Sequence, residues 1–133
     1  MKLFIDANVF ILALLDSGRT GENARELLDE VVKGKHEGVT SVLVMDEIMW
    51  VLIKNGKGGL LETYIKNIYE QPNLYVQAVE ADMPLIALEF MREYKLKPRD
   101  AMHCAFMKAK EISAIASDDK DFDRVKHFKR VPL

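Results

Sequence analysis

The chain has 133 residues, 49% hydrophobic and 30% charged, with a net charge of −2 from 19 basic and 21 acidic side chains. That length suits one compact domain, and that composition excludes a disordered or fibrous chain. A nearly neutral charge argues against broad, unspecific binding to a phosphate backbone, and one cysteine, Cys104, excludes a disulfide framework and a cysteine-based zinc site within the chain.

No apolar run approaches the ~18 residues of a membrane-spanning helix. The start lacks a basic stretch followed by a long apolar core, so no secretory leader is expected and the expected location is cytoplasmic. Leu3-Phe4-Ile5 is a short apolar run ending at Asp6, which reads as a fully buried strand. Asn8 to Leu15 is apolar and compatible with a helix, and Ser17-Gly18 breaks it. With Thr20 as N-cap, Gly21 to Lys35 carries Ala24, Leu27, Leu28, Val31 and Val32 at the spacing of an amphipathic helix that Gly34 ends. Val39-Thr40 is a second strand. Ser41 is the expected N-cap of a helix over Val42 to Ile53, stopped by the run Lys54 to Gly59.

Leu60 to Tyr69 places Leu61, Tyr64, Ile65 and Ile68 on one helix face. Pro72-Asn73 turns the chain into a third strand, Leu74 to Val76. Asp82 with Pro84 opens a helix that reaches Tyr94, and Pro98 opens the next, to about Glu111. Ala114 to Ala116 is a fourth strand, and Phe128 to Val131 is a weaker edge strand closed by Pro132. Alternating strands and helices give an α/β fold with a mainly parallel sheet of four to five strands, without internal repeats or linkers.

Acids in apolar settings are the candidate chemistry. Asp6 ends the first strand, and Asp118-Asp119 end the fourth. Glu47 lies two turns into the helix after the second strand, and Asp100 lies in the first turn of the helix before the fourth. Each has a bland reading: the helix dipole favours Asp100, turn propensity favours Asp118-Asp119, and Glu47 suits a solvated helix face. For Asp6 no local feature explains a buried charge. In open α/β sheets ligands bind beyond the carboxyl ends of the strands. If the first and fourth strands are neighbours, Asp6 and Asp118-Asp119 meet there. Asp100 needs its helix tilted to join them. Gathered carboxylates repel one another unless a cation holds them, and hard oxygen ligands select Mg²⁺ or Mn²⁺. Such a site suits hydrolysis of a phosphodiester.

Four segments carry a family resemblance: LFIDANVF, TSVLVMDEI, LKPRDAMHCAF and IASDDKDFDRV. They resemble, in order and spacing, the four acidic motifs of PIN-domain nucleases, and above all the VapC-type toxin ribonucleases of toxin–antitoxin pairs. The resemblance spans the chain, 1–133, as a single PIN domain, and implies a three-layer α/β/α fold with the first strand central and the fourth beside it. It implies that Asp6, Glu47, Asp100 and Asp119 are the catalytic acids, with Asp6, Asp100 and Asp119 on the metal and Asp118 as the near alternative to Asp119. It assigns accessory parts to Ser41, Ser117 and Asp121, and Asn8 is a partner for Asp6. It also implies one or two Mg²⁺ or Mn²⁺ ions, an RNA substrate cleaved as by a metal-dependent endoribonuclease, a homodimer and a protein antitoxin that blocks the cleft with a basic side chain.

Lys54, Lys57 and Arg99, with Lys95 and Lys97, are candidates to hold substrate phosphates. Trp50 reads as core or dimer interface, His103 as structural, and Cys104 as inert packing. Two rival enzymes are weaker. An aspartate phosphotransferase needs an acid at position 8, which is Asn, and a receiver domain needs an acid after the third strand, where Gln77-Ala78-Val79 stand. The non-enzymatic alternative is a PIN-fold RNA-binding or assembly module.

Overall fold

The computed structural model describes residues 1–133. Five strands, β1 (Lys2–Ile5), β2 (Glu37–Ser41), β3 (Leu74–Gln77), β4 (Ala114–Ala116) and β5 (Lys129–Val131), form one sheet in the order β3-β2-β1-β4-β5. Every neighbouring pair is parallel. β1 is central: Phe4 lies opposite Val39 on one side and Ile115 on the other. Its Leu3, Phe4 and Ile5 are fully buried, as a strand covered on both faces requires. The fifth strand takes the edge position expected of it.

Six α-helices connect the strands: α1 (Ala7–Leu15), α2 (Arg19–Val32), α3 (Val42–Lys54), α4 (Leu61–Glu70), α5 (Met83–Tyr94) and α6 (Pro98–Ala109). The β1-to-β2 and β2-to-β3 crossovers advance the sheet one way, and the β3-to-β4 crossover returns past two strands. Right-handed connections then put α1 to α4 on one face and α5 and α6 on the other. Packing accords with this, since α1 lies against α2 and α3, and α5 lies against α6. Phe4 points to the α6 side, where its ring meets Phe106 at 5.4 Å between centroids.

Two helix starts differ from expectation. Thr20 does not cap α2, which begins one residue earlier, at Arg19. Asp16 acts from outside the helix instead: its Oδ1 accepts from Gly18 N at 3.3 Å and its Oδ2 from Gly21 N at 2.7 Å. Asp82 sits at the N-cap of α5 but makes no capping side-chain bond, and its φ of −86° and ψ of −10° are already helical. Pro84 nonetheless falls in the first turn of α5, as expected.

The close approach at Gly21 generates a prediction. A Cβ there would lie 2.0 Å from the Asp16 carbonyl oxygen. Alanine is favoured over glycine in a helix by about 1 kcal/mol, but a forced backbone shift in packed structure costs about 1–3 kcal/mol and also breaks the Asp16 contact. Gly21→Ala should therefore lower the unfolding free energy, read from the urea midpoint. An unchanged or raised midpoint would show that α2 moves freely away from Asp16.

Candidate functional site

The strands run parallel, so all their carboxyl ends lie at one edge of the sheet, and every candidate acid but Glu47 is attached there. Asp6 follows β1, and its amide continues the ladder to Ala116 O at 3.1 Å. Its side chain has a local role after all: Asp6 is the N-cap of α1, with Oδ1 accepting from Ala7 N at 2.8 Å. Capping accounts for one oxygen. The other, Oδ2, accepts from Ser117 Oγ at 2.6 Å and from Asn8 Nδ2 at 3.2 Å. Asp6 is 5% exposed, and burial pushes its carboxyl above the usual range. The nearby Glu47 adds to that rise, while His103, Ser117 and the Ala7 amide offset part of it.

Ser117 joins β4 to the loop after it. Its hydroxyl donates to Asp6 and accepts from Asn8 Nδ2 at 3.1 Å and from Asp119 N at 3.0 Å. Asn8 completes the link by accepting from Asp118 N at 3.1 Å through Oδ1. Arg130 of β5 donates to Ser117 O at 3.1 Å and pairs with both oxygens of Asp123, which ties the loop to the edge strand.

Asp100 needs no tilted helix. α6 leads into β4 and so runs antiparallel to the strands, which sets its N-terminus at their carboxyl end. Carboxylate oxygens of Asp100, Asp119 and Asp121 lie within 4.8 Å of one another. The Asp100 carboxyl is pushed up to about 7, by burial first and then by the charges of Asp119 and Asp6. Of the doubled acid, Asp119 groups with Asp100, whereas Asp118 is exposed and belongs to neither acidic group, with its backbone amide turned to Asn8. Asp119 also caps the following 3-10 turn, accepting from Asp121 N at 2.9 Å. Asp121 is held by Arg124 at 3.1 Å.

A second group comprises Asp6, Glu47 and His103, again within 4.8 Å. Ser41 starts α3, the helix that carries Glu47, by accepting from Val44 N at 3.3 Å, and its hydroxyl forms no hydrogen bond with the acids. His103 on α6 is buried, and its Nε2 lies 2.7 Å from Glu47 Oε1 and 3.6 Å from Asp6 Oδ1. Burial by itself lowers its pKa. The hydrogen bond to Glu47 and the charges of Asp6, Glu47 and Asp100 outweigh that and raise it. The sequence reading passed over His103 as structural. The available signal was its spacing, three residues after Asp100 and so on nearly the same helix face.

The basic residues divide. Arg99 approaches Glu47 Oε1 at 3.7 Å. Lys54, Lys57, Lys95 and Lys97 are exposed and form no ion pair with the acids. Lys54 follows Glu47 by about two turns, roughly 10 Å along α3. Trp50 is 60% exposed, which removes the core reading for it. Cys104 is buried and free, and burial pushes its thiol up to about 12, as inert packing requires.

The donor set is carboxylate oxygen with one imidazole, and burial, with the neighbouring acids, raises Asp6 and Asp100. Each of the two groups offers three such donors at a spacing that fits a divalent cation, and the all-carboxylate group of Asp100, Asp119 and Asp121 suits a hard one. Comparison with known proteins gives a family and a fold. The family model for the PIN domain matches residues 3–128. The chain is 25% identical to Ribonuclease VapC2 of Methanocaldococcus jannaschii, over 93% of this chain and 89% of that protein. Among solved structures, VapBC2 of Rickettsia felis, bound to a DNA fragment from its promoter, is similar with a TM-score of 0.75 at 15% identity, covering 99% of this chain and 98% of that one. VapC20 of Mycobacterium tuberculosis, described as a sarcin-ricin loop cleaving toxin, has a TM-score of 0.77 at 19% identity, covering 93% and 95%.

Burial of Asp100, with the charges of Asp119 and Asp6, predicts the pH dependence of the metal-free chain. The Asp100 carboxyl titrates at about 7 when folded, against 3.8 for an unperturbed aspartate. The folded state holds that proton more tightly, so the stabilisation is complete at low pH and is lost as pH rises through about 7. In EDTA, the melting temperature should fall as pH rises from about 4 to about 7, and Asp100→Asn should flatten that fall. Equal slopes for parent and variant would show that Asp100 ionises normally.

Proposed function

Because this chain belongs to the PIN domain family, we propose that it is a metal-dependent endoribonuclease that hydrolyses RNA phosphodiester bonds, and the toxin of a type II toxin–antitoxin pair. The observation that carries this reading is the convergence of acids from four separated segments into two neighbouring groups, where burial and then the charges of Asp119 and Asp6 raise the Asp100 carboxyl. A structural role would not require such a cluster. The relative named as a ribonuclease supports RNA as the substrate, and relatives solved with antitoxins support a protein partner.

Asp6, Asp100 and Asp119 are the residues assigned to hold one or two Mg²⁺ or Mn²⁺ ions, with Asp118 now the weaker candidate. Such an ion, when bound, lowers the pKa of water and offsets charge on the phosphate. The chain supplies the rest. Ser117 and Asn8 orient the Asp6 carboxylate, and Asp121 has an accessory part through the loop it shares with Asp119. Glu47 Oε1 carries both of its protein contacts, so Oε2 is the atom assigned to take the proton from attacking water as the phosphorus–oxygen ester bond breaks and the departing ribose oxygen takes a proton from solvent. Arg99 at the rim, with Lys54, Lys57, Lys95 and Lys97, has free donors for substrate phosphates.

Trp50 and Ile53, 60% and 59% exposed on α3, are apolar surface of the kind a second copy of the chain would cover, which supports a homodimer. The antitoxin would close the acidic cleft with a basic side chain. No helix is long and apolar enough to cross a membrane, and a cytoplasmic location, where RNA is available, belongs to this reading.

The test is cleavage of labelled RNAs and single-stranded DNA with Mg²⁺, Mn²⁺ or EDTA, beside Asp6→Asn. RNA should be cut only with metal, and the variant should be inactive. Asparagine can still cap α1 through Oδ1 and carries no buried charge, while its Nδ2 meets the Ser117 and Asn8 donors, so the variant in EDTA should stay folded with a cooperative melt. Cleavage by Asp6→Asn at the parent rate would overturn the mechanism. A parent that binds RNA and never cuts it would leave a binding module in its place.

A further inference from the structure

His103 is 1% exposed and its ring packs against Phe4, with centroids 5.3 Å apart and planes tilted by 45°. Its Nδ1 is buried and has no hydrogen-bond partner. A histidine kept for packing alone ordinarily satisfies its buried nitrogens. Here all polar engagement lies on Nε2, which reaches Glu47 Oε1 at 2.7 Å and stands 3.6 Å from Asp6 Oδ1. Facing a carboxylate, Nε2 is the donor. A neutral ring protonated there and a charged ring both donate, so the contact does not depend on titration.

We propose that His103 is the positioning residue for Glu47: its buried Nε2–H pins Oε1, holds the carboxylate beside Asp6 and leaves Oε2 free to act. The proposal deepens the nuclease reading above and rests on it for the word "act". Glu47 needs such a tether. It comes from the opposite helix layer to α6, it is repelled by Asp6, and a glutamate side chain at a cleft has rotamers that lead away from the site. The other neighbour of Oε1 is Arg99, which is farther, at 3.7 Å, and 50% exposed. An exposed arginine at that distance is screened by water and restrains little. His103 is locked by Phe4 and by helix α6, so the hydrogen bond transmits the rigidity of the core to the acid. Partners of this kind behind ligands and catalytic groups commonly change metal affinity or activity by about 10–100-fold when removed.

The test is a double-mutant cycle on the full chain with His103→Phe and Glu47→Gln, read both as RNA cleavage and as Mn²⁺ affinity by calorimetry. His103→Phe fills the same space against Phe4 without a donor. It should lower kcat about 10–100-fold with little change in KM in the parent, and weaken Mn²⁺ binding there because Glu47 shares with Asp6 one of the two groups able to hold an ion. In the Glu47→Gln background it should cost little more in either readout. His103→Gln, which can place an amide N–H near the same point, should recover most of the loss. Coupling in either readout carries the assignment. Additivity in both, or a parent-like His103→Phe, overturns it while leaving the nuclease reading standing. Coupled Mn²⁺ affinities in a chain that cuts no RNA would do the reverse. Should His103→Phe fail to fold, the His103 Nε2–H resonance of ¹⁵N-histidine-labelled protein decides. It must shift in Glu47→Gln, and an unchanged resonance overturns the proposal.

Discussion

Everything in this structure answers to the burial of the Asp6 carboxylate at the end of the central strand. A carboxylate with so little solvent is costly unless hydrogen bonds or cations compensate it. Asp6 receives an amide from its own helix, a hydroxyl from Ser117, an amide from Asn8 and the nearby edge of His103. These come from β1–α1, the β4 loop and α6, so a single charged group ties together segments that are far apart in sequence. Even so, burial keeps the carboxyl above the usual range.

Parallel topology is what lets the remaining acids join it. Strands that all point one way deliver Asp6 and Asp119 to the same edge, and the antiparallel return helix α6 delivers Asp100 to it as well. Rigid elements carry each of them, and Ser117 sits at the junction, with its hydroxyl bonded to Asp6, Asn8 and Asp119 at once. Two acidic groups result, one around Asp6 and one around Asp100, and they feel each other, since the Asp6 charge helps to raise the Asp100 carboxyl. The arrangement is stable enough to fold and strained enough to favour a cation.

The cations around the site serve two ends. Arg124 and Arg130 are spent on Asp121, Asp123 and the Ser117 carbonyl, where they hold the loop rather than a ligand. Arg99 leans on Glu47 from the rim. Lys54, Lys57, Lys95 and Lys97 remain in water. A net charge of −2 therefore hides a division between structural arginines near the acids and solvated lysines farther out.

Much of this was legible before any tertiary information. The apolar run ending in Asp6, the amphipathic spacing of α2 and α4, and Pro98 opening α6 gave the order of strands and helices, because period and turn chemistry are local properties. The resemblance of four acidic segments to one family picked out Asp6, Glu47, Asp100 and Asp119. What the sequence could not weigh were relations across the sheet. Asp6 looked unexplained because its cap to Ala7 depends on where α1 begins. Asp82 and Thr20 looked like caps because residue type alone does not report φ and ψ. Asp118 and Asp119 are indistinguishable as letters, and only the turn of the loop sends one to solvent and the other to Asp100. His103 was dismissed for want of a neighbouring ligand in the chain, while its partner, Glu47, lies 56 positions away on another helix. Local composition determined the elements and the chemistry available. The tertiary structure alone decided which carboxylates meet and which side chains hold them, because those contacts depend on the register of β1 against β4 and the direction of α6.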